Sequence, residues 1–428
     1  MRFLLATWEG GGVVPPEMGV VQRMRARGHQ VRVLADPAVE AAARAAGAEF
    51  SPWVRAPFKR SLAPEEDFLR DWEYKNLLKL CQHALEVFLC GPADRFAADA
   101  IEVLDRYPVD GLIADFTILG AMIAAESRRL PYVVLVPNIY MRPTPGIPPM
   151  GPGFLQATNV FERLRDAALR SLSTRLWKKG VPAINRARVG LGLQPLTDVW
   201  SQYDRAASVL VLTAQAFDFR ADALPPNVKY IGPILDDPAW AGDTWTPPWP
   251  KENQDPLVLV ALSSTFQDQV AVLTRIAAAL AGMRVRALIT LGPALDPATL
   301  PTTGNVVCVP TAPHGLIIPQ SAAVITHCGH GTTLKALAAG VPLVCMPMGR
   351  DQNDTAARVV ARGAGVRIKP SASPVAIRRA VERVIADPKY HQAALRLRDD
   401  IDTEVRTSDV AAEIERTVLR PADQRLTV

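Results

Sequence analysis

Short apolar runs alternate with amphipathic stretches along almost the whole of this chain. Apolar runs at 3–6, 31–35, 111–114, 133–136 and 209–212 read as buried strands in the first half. Patterns of helical period lie between them at 16–27, 37–46, 68–89, 93–107, 118–129 and 161–190. The alternation restarts with strands expected at 257–262, 285–291, 306–309, 323–326, 343–346 and 366–368. Helices are expected there at 267–281, 333–339, 353–362, 374–386, 391–401 and 410–419. Continuously apolar strands separated by helices predict parallel sheets with right-handed crossovers, an α/β class. The two series are split by 236–256, which holds five prolines and no apolar period and reads as a linker. Its three tryptophans are expected to pack locally. The organisation predicted is 1–235, a linker at 236–256, a second unit at 257–405, and a helix and tail at 406–428.

Length supports that division, because 428 residues exceed one ordinary core and suit two domains of roughly 200 residues each. The formal charge of +5 comes from dispersed arginines without a basic stripe, so nucleic acid is not an expected partner. Five cysteines without a C-x-x-C pair argue against disulfides and zinc and for a reducing cytoplasm. The first apolar run is too short for a signal sequence, and none approaches the length needed to span a bilayer, so no membrane insertion is expected.

The chemistry concentrates in 324–365, which opens V-I-T-H-C-G-H-G-T-T-L-K. A strand leads into a glycine-rich turn, 327–332, and then into a helix. Such a unit gathers free backbone N–H groups and the positive end of a helix dipole, which suits a phosphate. His327 can donate to a diphosphate oxygen, while Gly329, Gly331 and Thr332 offer N–H groups. The plainer alternatives are a satisfied core histidine and an ordinary glycine turn. The next strand delivers Asp351 and Gln352 to the crevice at its carboxyl end, where an acid–amide pair can hold sugar hydroxyls. For Asp351 the plainer alternative is a helix cap. Together these features suggest sugar transfer from a nucleotide.

The spacing H-x-G-x-G-T, G-V-P, D-Q resembles the donor signature of glycosyltransferase family 1, the UDP-glycosyltransferase superfamily with the GT-B fold. Blocks at 28–36 (G-H-Q-V-R-V-L-A-D), 110–115 (D-G-L-I-A-D) and 136–153 extend the similarity over nearly the whole chain, the last resembling actinobacterial natural-product enzymes. The resemblance implies two Rossmann-like domains facing across a cleft, acceptor in the first and nucleotide sugar in the second, with the final helix returning to the first. It implies inverting, metal-independent hexosyl transfer from a UDP- or dTDP-sugar, with no cofactor, to a small hydrophobic or aromatic acceptor. Ser264 and Thr265 match a further phosphate-binding loop. His314 stands where relatives often carry Gln, and Lys335 where plant-type members carry a ribose-binding Glu, so UDP and dTDP both remain open. The acceptor wall is expected around 72–88 and 139–154, with Glu9, His83, Asn138 and Tyr140 as polar candidates.

The departure of greatest consequence is at Gly12. Inverting relatives place a histidine base there, oriented by an aspartate that Asp115 matches. Three routes stay open: Asp115 acts as base at the cleft; water, Glu9 or His83 relays the proton; or the acceptor needs little help. An unassisted alcohol should react slowly, whereas a phenol of pKa about 10 is far easier. Two other classes fit parts of the pattern, a non-catalytic GT-B partner that has lost its base and a GT-B nucleotide-sugar epimerase.

Overall fold

The computed structural model describes residues 1–296, 300 and 304–419. The first sheet holds seven strands: β1 (Arg2–Ala6), β2 (Gln30–Ala35), β3 (Glu49–Pro52), β4 (Gly111–Asp115), β5 (Tyr132–Val136), β6 (Ser208–Val211) and β7 (Val228–Tyr230). The second holds six: β8 (Leu257–Ala261), β9 (Arg286–Thr290), β10 (Val306–Val309), β11 (Ala323–Thr326), β12 (Leu343–Cys345) and β13 (Gly365–Arg367). Their orders are β3-β2-β1-β4-β5-β6-β7 and β10-β9-β8-β11-β12-β13, every pairing parallel. Each order reverses once, between β1 and β4 and between β8 and β11, and a doubly wound sheet opens its ligand crevice at that point.

Both faces of each sheet are buried, which explains the unbroken apolar runs. Leu4 and Ala6 of β1 pack into one cluster, while Phe3 and Leu5 pack into another on the opposite face. Likewise Leu257, Leu259 and Ala261 of β8 face one way and Val258 and Val260 the other. Each such Val, Leu or Phe side chain contributes roughly 1.5–3 kcal/mol on burial, and each alanine less.

Four segments differ from the sequence reading. β3 and β7 carry no continuous apolar run, because each is a short edge strand half covered by helices. The helix expected over 68–89 starts only at Leu77, where the Asn76 side chain accepts from the N–H groups of Leu78 and Lys79. The single helix expected over 161–190 is two, Val160–Lys178 and Val181–Gly190. Gly180 sits at the break because a Cβ there would lie 2.4 Å from Cys90 Sγ, and Pro182 begins the second helix.

Residues 236–256 run between the two sheets. Trp249 is buried against the second domain's core, but Trp240 is half-exposed on the cleft rather than locally packed. The final helix, Val410–Leu419, packs on helix Val14–Ala26 and on β5 and β6, in the first domain. Residues 420–428 of the expected tail lie outside the described residues.

Candidate active site

In the second domain the chain leaves β11 through His327, Cys328 and Gly329 and enters helix His330–Ala338. Cys328 takes φ +67 while fully buried, and Gly329 lets the His327 ring fold over the turn, since a Cβ there would meet Nε2 at 2.6 Å. No side chain caps Gly329, so the first-turn N–H groups of His330, Gly331 and Thr332 converge on the cleft without a helical partner. His327 is buried with Nδ1 unpartnered. Burial, aided by the Arg350 charge, pushes it down to about 3, so the ring is neutral and offers one donor and one acceptor.

Asp351 occupies the cap position of helix Gln352–Ala361, yet its side chain makes no capping bond. Burial raises its carboxyl, opposed by Arg350 and by a hydrogen bond from Asn138 of the first domain. Gln352 is committed to its own loop: Oε1 accepts from Met348 N at 2.8 Å and Gly349 N at 3.0 Å, and Nε2 donates to Gln267 at 2.9 Å. At the far corner His314 Nε2 lies 3.0 Å from Thr290 Oγ1, and burial pushes this ring down to about 4. Lys335 pairs with Asp237 of the connecting segment, whose other oxygen accepts from Gly315 N at 2.7 Å.

The first domain presents its own switch point. After β1 the loop passes Glu9, Gly10, Gly11 and Gly12. Gly11 has φ +71, and a Cβ on it would approach Thr265 Cγ2 of the second domain to 2.6 Å, so the two switch points touch here. A Cβ at Gly12 would meet nothing within 4 Å. Beneath the loop, Asp115 ends β4 fully buried, accepting from the N–H (2.8 Å) and the hydroxyl of Thr117.

Between the two switch points lies a cavity of about 470 Å³, within the ordinary size of a small-molecule site. Its second-domain wall is polar, with Ser263, Ser264, His314, His327, His330, Thr332, Arg350, Asp351 and Gln352. Its first-domain wall is mostly apolar, with Trp8, Leu80, Leu85, Phe88, Phe116, Ile139, Met141, Ile147 and Met150 beside a few polar side chains such as Asp71, Asn138 and Arg142.

Residues 275–417 match the family described as erythromycin biosynthesis protein CIII-like, C-terminal domain. The chain is 29% identical over 411 residues to 4'-demethylrebeccamycin synthase of Lentzea aerocolonigenes, covering 93% of this chain and 95% of the relative. It is 25% identical to demethyllactenocin mycarosyltransferase of Streptomyces fradiae, covering 96% and 85%. Among solved structures, the glycotransferase of kitacinnamycin superposes with TM-score 0.71 at 20% identity, over 97% of this chain and 98% of that one. The glycosyltransferase VinC in complex with dTDP gives 0.70 at 18%, over 98% and 100%. The chain is a GT-B glycosyltransferase of natural-product type.

Several residues of this glycosyltransferase stand elsewhere than the sequence suggests. Asp115 does not line the cavity: its carboxylate is turned into the core, where Thr117 and Glu17 hold it. Glu9 is also off the wall, its Oε1 accepting from Gly11 N at 2.8 Å, with burial pushing it up to about 7. His83 stacks on Tyr74 with centroids 4.8 Å apart, away from the cavity. Thr265 faces Ser263 and Arg350, leaving Ser263 and Ser264 on the wall. Lys335 is an ion-pair partner rather than a solvent-facing lysine. Asn138 and Tyr140 do line the cavity, as do Gly12, His314, His327, Gly329, Gly331 and Thr332.

Other residues were not visible in the sequence because their partners are remote. Arg350 bonds Asp71 across the cleft through Nε (2.5 Å) and Nη2 (3.1 Å). Asp354 accepts from Gly151 N (2.6 Å) and Gly153 N (3.2 Å), and His330 Nε2 meets Thr213 Oγ1 at 2.8 Å. The only local signal was that Arg350 directly precedes the Asp351–Gln352 pair.

Proposed function

We propose that this glycosyltransferase moves a hexosyl group from a dTDP- or UDP-sugar to a small hydrophobic or aromatic acceptor, with inversion and without metal or cofactor. The observation carrying this reading is the division of one cavity into a polar second-domain wall and a mostly apolar first-domain wall. On this reading the diphosphate lies at the N-terminus of helix His330–Ala338, with His327 and Ser264 donating to it. As the acceptor oxygen attacks the anomeric carbon from the opposite side, the bond to the leaving phosphate breaks, and these donors take up its charge. Asp351 reads the sugar hydroxyls, since its carboxylate is not spent on capping. The nucleoside occupies the corner of His314, Lys335 and Trp240. The bound dTDP of VinC favours dTDP as the nucleotide.

The open space at Gly12 is the observation favouring a non-catalytic partner protein instead. Incubating the purified protein with dTDP- and UDP-sugars and a panel of phenols and alcohols separates the readings. Transfer with an inverted anomeric centre, unaffected by EDTA, is the expected result. Diphosphate binding without turnover would leave the partner reading, and conversion of the nucleotide sugar without acceptor would leave an epimerase.

A further inference from the structure

The missing histidine leaves the acceptor proton without a destination in the loop after β1. Below that loop, two buried side-chain oxygens have no conventional donor, Glu17 Oε1 and Asp115 Oδ2. The remaining oxygens of the same carboxyls are served: Thr7 Oγ1 donates to Glu17 Oε2, and Thr117 donates twice to Asp115 Oδ1. The two carboxyls are themselves bonded to each other. A single proton between Glu17 and Asp115 satisfies both orphaned atoms, with the Phe116 N–H a further donor beside Asp115. Burial raises both carboxyls, and the Asp115 charge raises Glu17 further, so the pair shares one proton and carries one negative charge.

Thr117 bridges this pair to the cleft. It lines the cavity beside Gly12 and Phe116, and its one hydroxyl proton is pinned on Asp115 Oδ1. What its oxygen can offer the cavity is therefore a lone pair, which accepts a proton and cannot donate one.

We infer that Thr117 replaces the absent histidine as the group that takes the acceptor's proton, handing its own to Asp115, with Glu17 as a positioning residue. This rests on the transferase reading above. In one concerted step the acceptor O–H proton passes to Thr117 Oγ1 while the Thr117 proton passes to Asp115 Oδ1. The acceptor oxygen's electron pair forms the new bond to the anomeric carbon, and the old carbon–oxygen pair leaves with the diphosphate. No alkoxide forms on Thr117, and Asp115 ends as the neutral acid.

The test compares Thr117→Val with Thr117→Ser, using a series of alcohols and phenols of falling pKa that the wild type glycosylates. Thr117→Val, which keeps shape and removes the hydroxyl, should lower kcat on order 10²-fold with alcohols and progressively less with more acidic phenols. Thr117→Ser should recover most of the rate. Diphosphate binding, read by calorimetry, should be unchanged in both, and its absence in the wild type would refute the transferase reading rather than the relay. A Val variant as active as wild type with alcohols, or one equally slow with every acceptor, overturns the relay. Should that variant not fold, the wild-type pH profile decides. Alcohol turnover should fall as pH drops through about 6, where burial places Asp115, while acceptors already ionised escape the fall; parallel profiles for both overturn it.

Discussion

The loop after β1 and the turn after β11 stand at the two switch points, each on one of the two strands where its sheet order reverses, and they handle polar groups in opposite ways. In the first domain the carboxyls of Glu9, Glu17, Asp36 and Asp115 are sunk beneath the loop, leaving glycines and mostly apolar side chains on the wall, with Thr117 and Asn138 among the few polar ones. In the second domain His314, His327 and His330 stand on the wall itself, neutral because burial lowers all three. A shared topology thus creates two crevices, while the turn residues decide whether each is a polar cradle or an apolar pocket. The contrast also reaches stability. Carboxyls raised by burial add stability at acid pH that is lost as pH rises through the folded values, about 7 for Glu9 and 6 for Asp36. Histidines lowered by burial add stability above about 6.5 that is lost as pH falls towards 4 and below.

The harshest challenge to the polar cradle is His327→Ala, expected to reduce transfer by on the order of 10²-fold with the circular dichroism unchanged, because a donor aimed at the leaving diphosphate is lost. Transfer within twofold of wild type would take His327 out of the mechanism. Asp351→Ala comes next. It should weaken use of the nucleotide sugar by roughly 1–3 kcal/mol while free dTDP or UDP binds as before. Equal loss of both in calorimetry would make the residue structural. Gln352→Ala sharpens this, since its amide braces Met348 and Gly349; it should lower the melting temperature as well as the rate.

The electrostatic half of the comparison is tested by thermal melts of Glu9→Gln. The amide can still accept from Gly11 N but carries no buried charge, so the variant should gain on the order of 3 kcal/mol over wild type at pH 8 and almost nothing below about pH 4.5. A gain that does not depend on pH would contradict the raised pKa. The smallest effect belongs to Gly12→Ala, under about 0.5 kcal/mol, because the site is open and its φ is not positive. Gly11→Ala, at φ +71 and against Thr265, should cost about 1 kcal/mol or more in the same melts.

Central strands were legible because burial on both faces writes itself as a continuous apolar run, as in β4, β5 and β8. Edge strands such as β3 and β7 were not, since one face and one row of backbone groups need no apolar residue. The turn after β11 was legible because strand, glycines and helix are contiguous, and a cluster of backbone N–H groups is a local structure. The first-domain wall was less legible: Gly12 departs from the histidine that the resemblance implies, and no local pattern says which side chains pack around it.

By itself the sequence determined two parallel-sheet units and a strand–glycine turn–helix unit suited to a phosphate, both consequences of neighbours along the chain. Tertiary structure decided which way the buried side chains turn. Asp115 faces inward because Glu17, from a remote stretch of chain, and Thr117, two residues further on, satisfy it there at the cost of contact with the cleft. Arg350 reaches Asp71, and Lys335 reaches Asp237, because the fold closes the second domain on the first and on the connecting segment, where a buried charge must be paired. Such pairings join positions that no local pattern links, so only the packed molecule could reveal them.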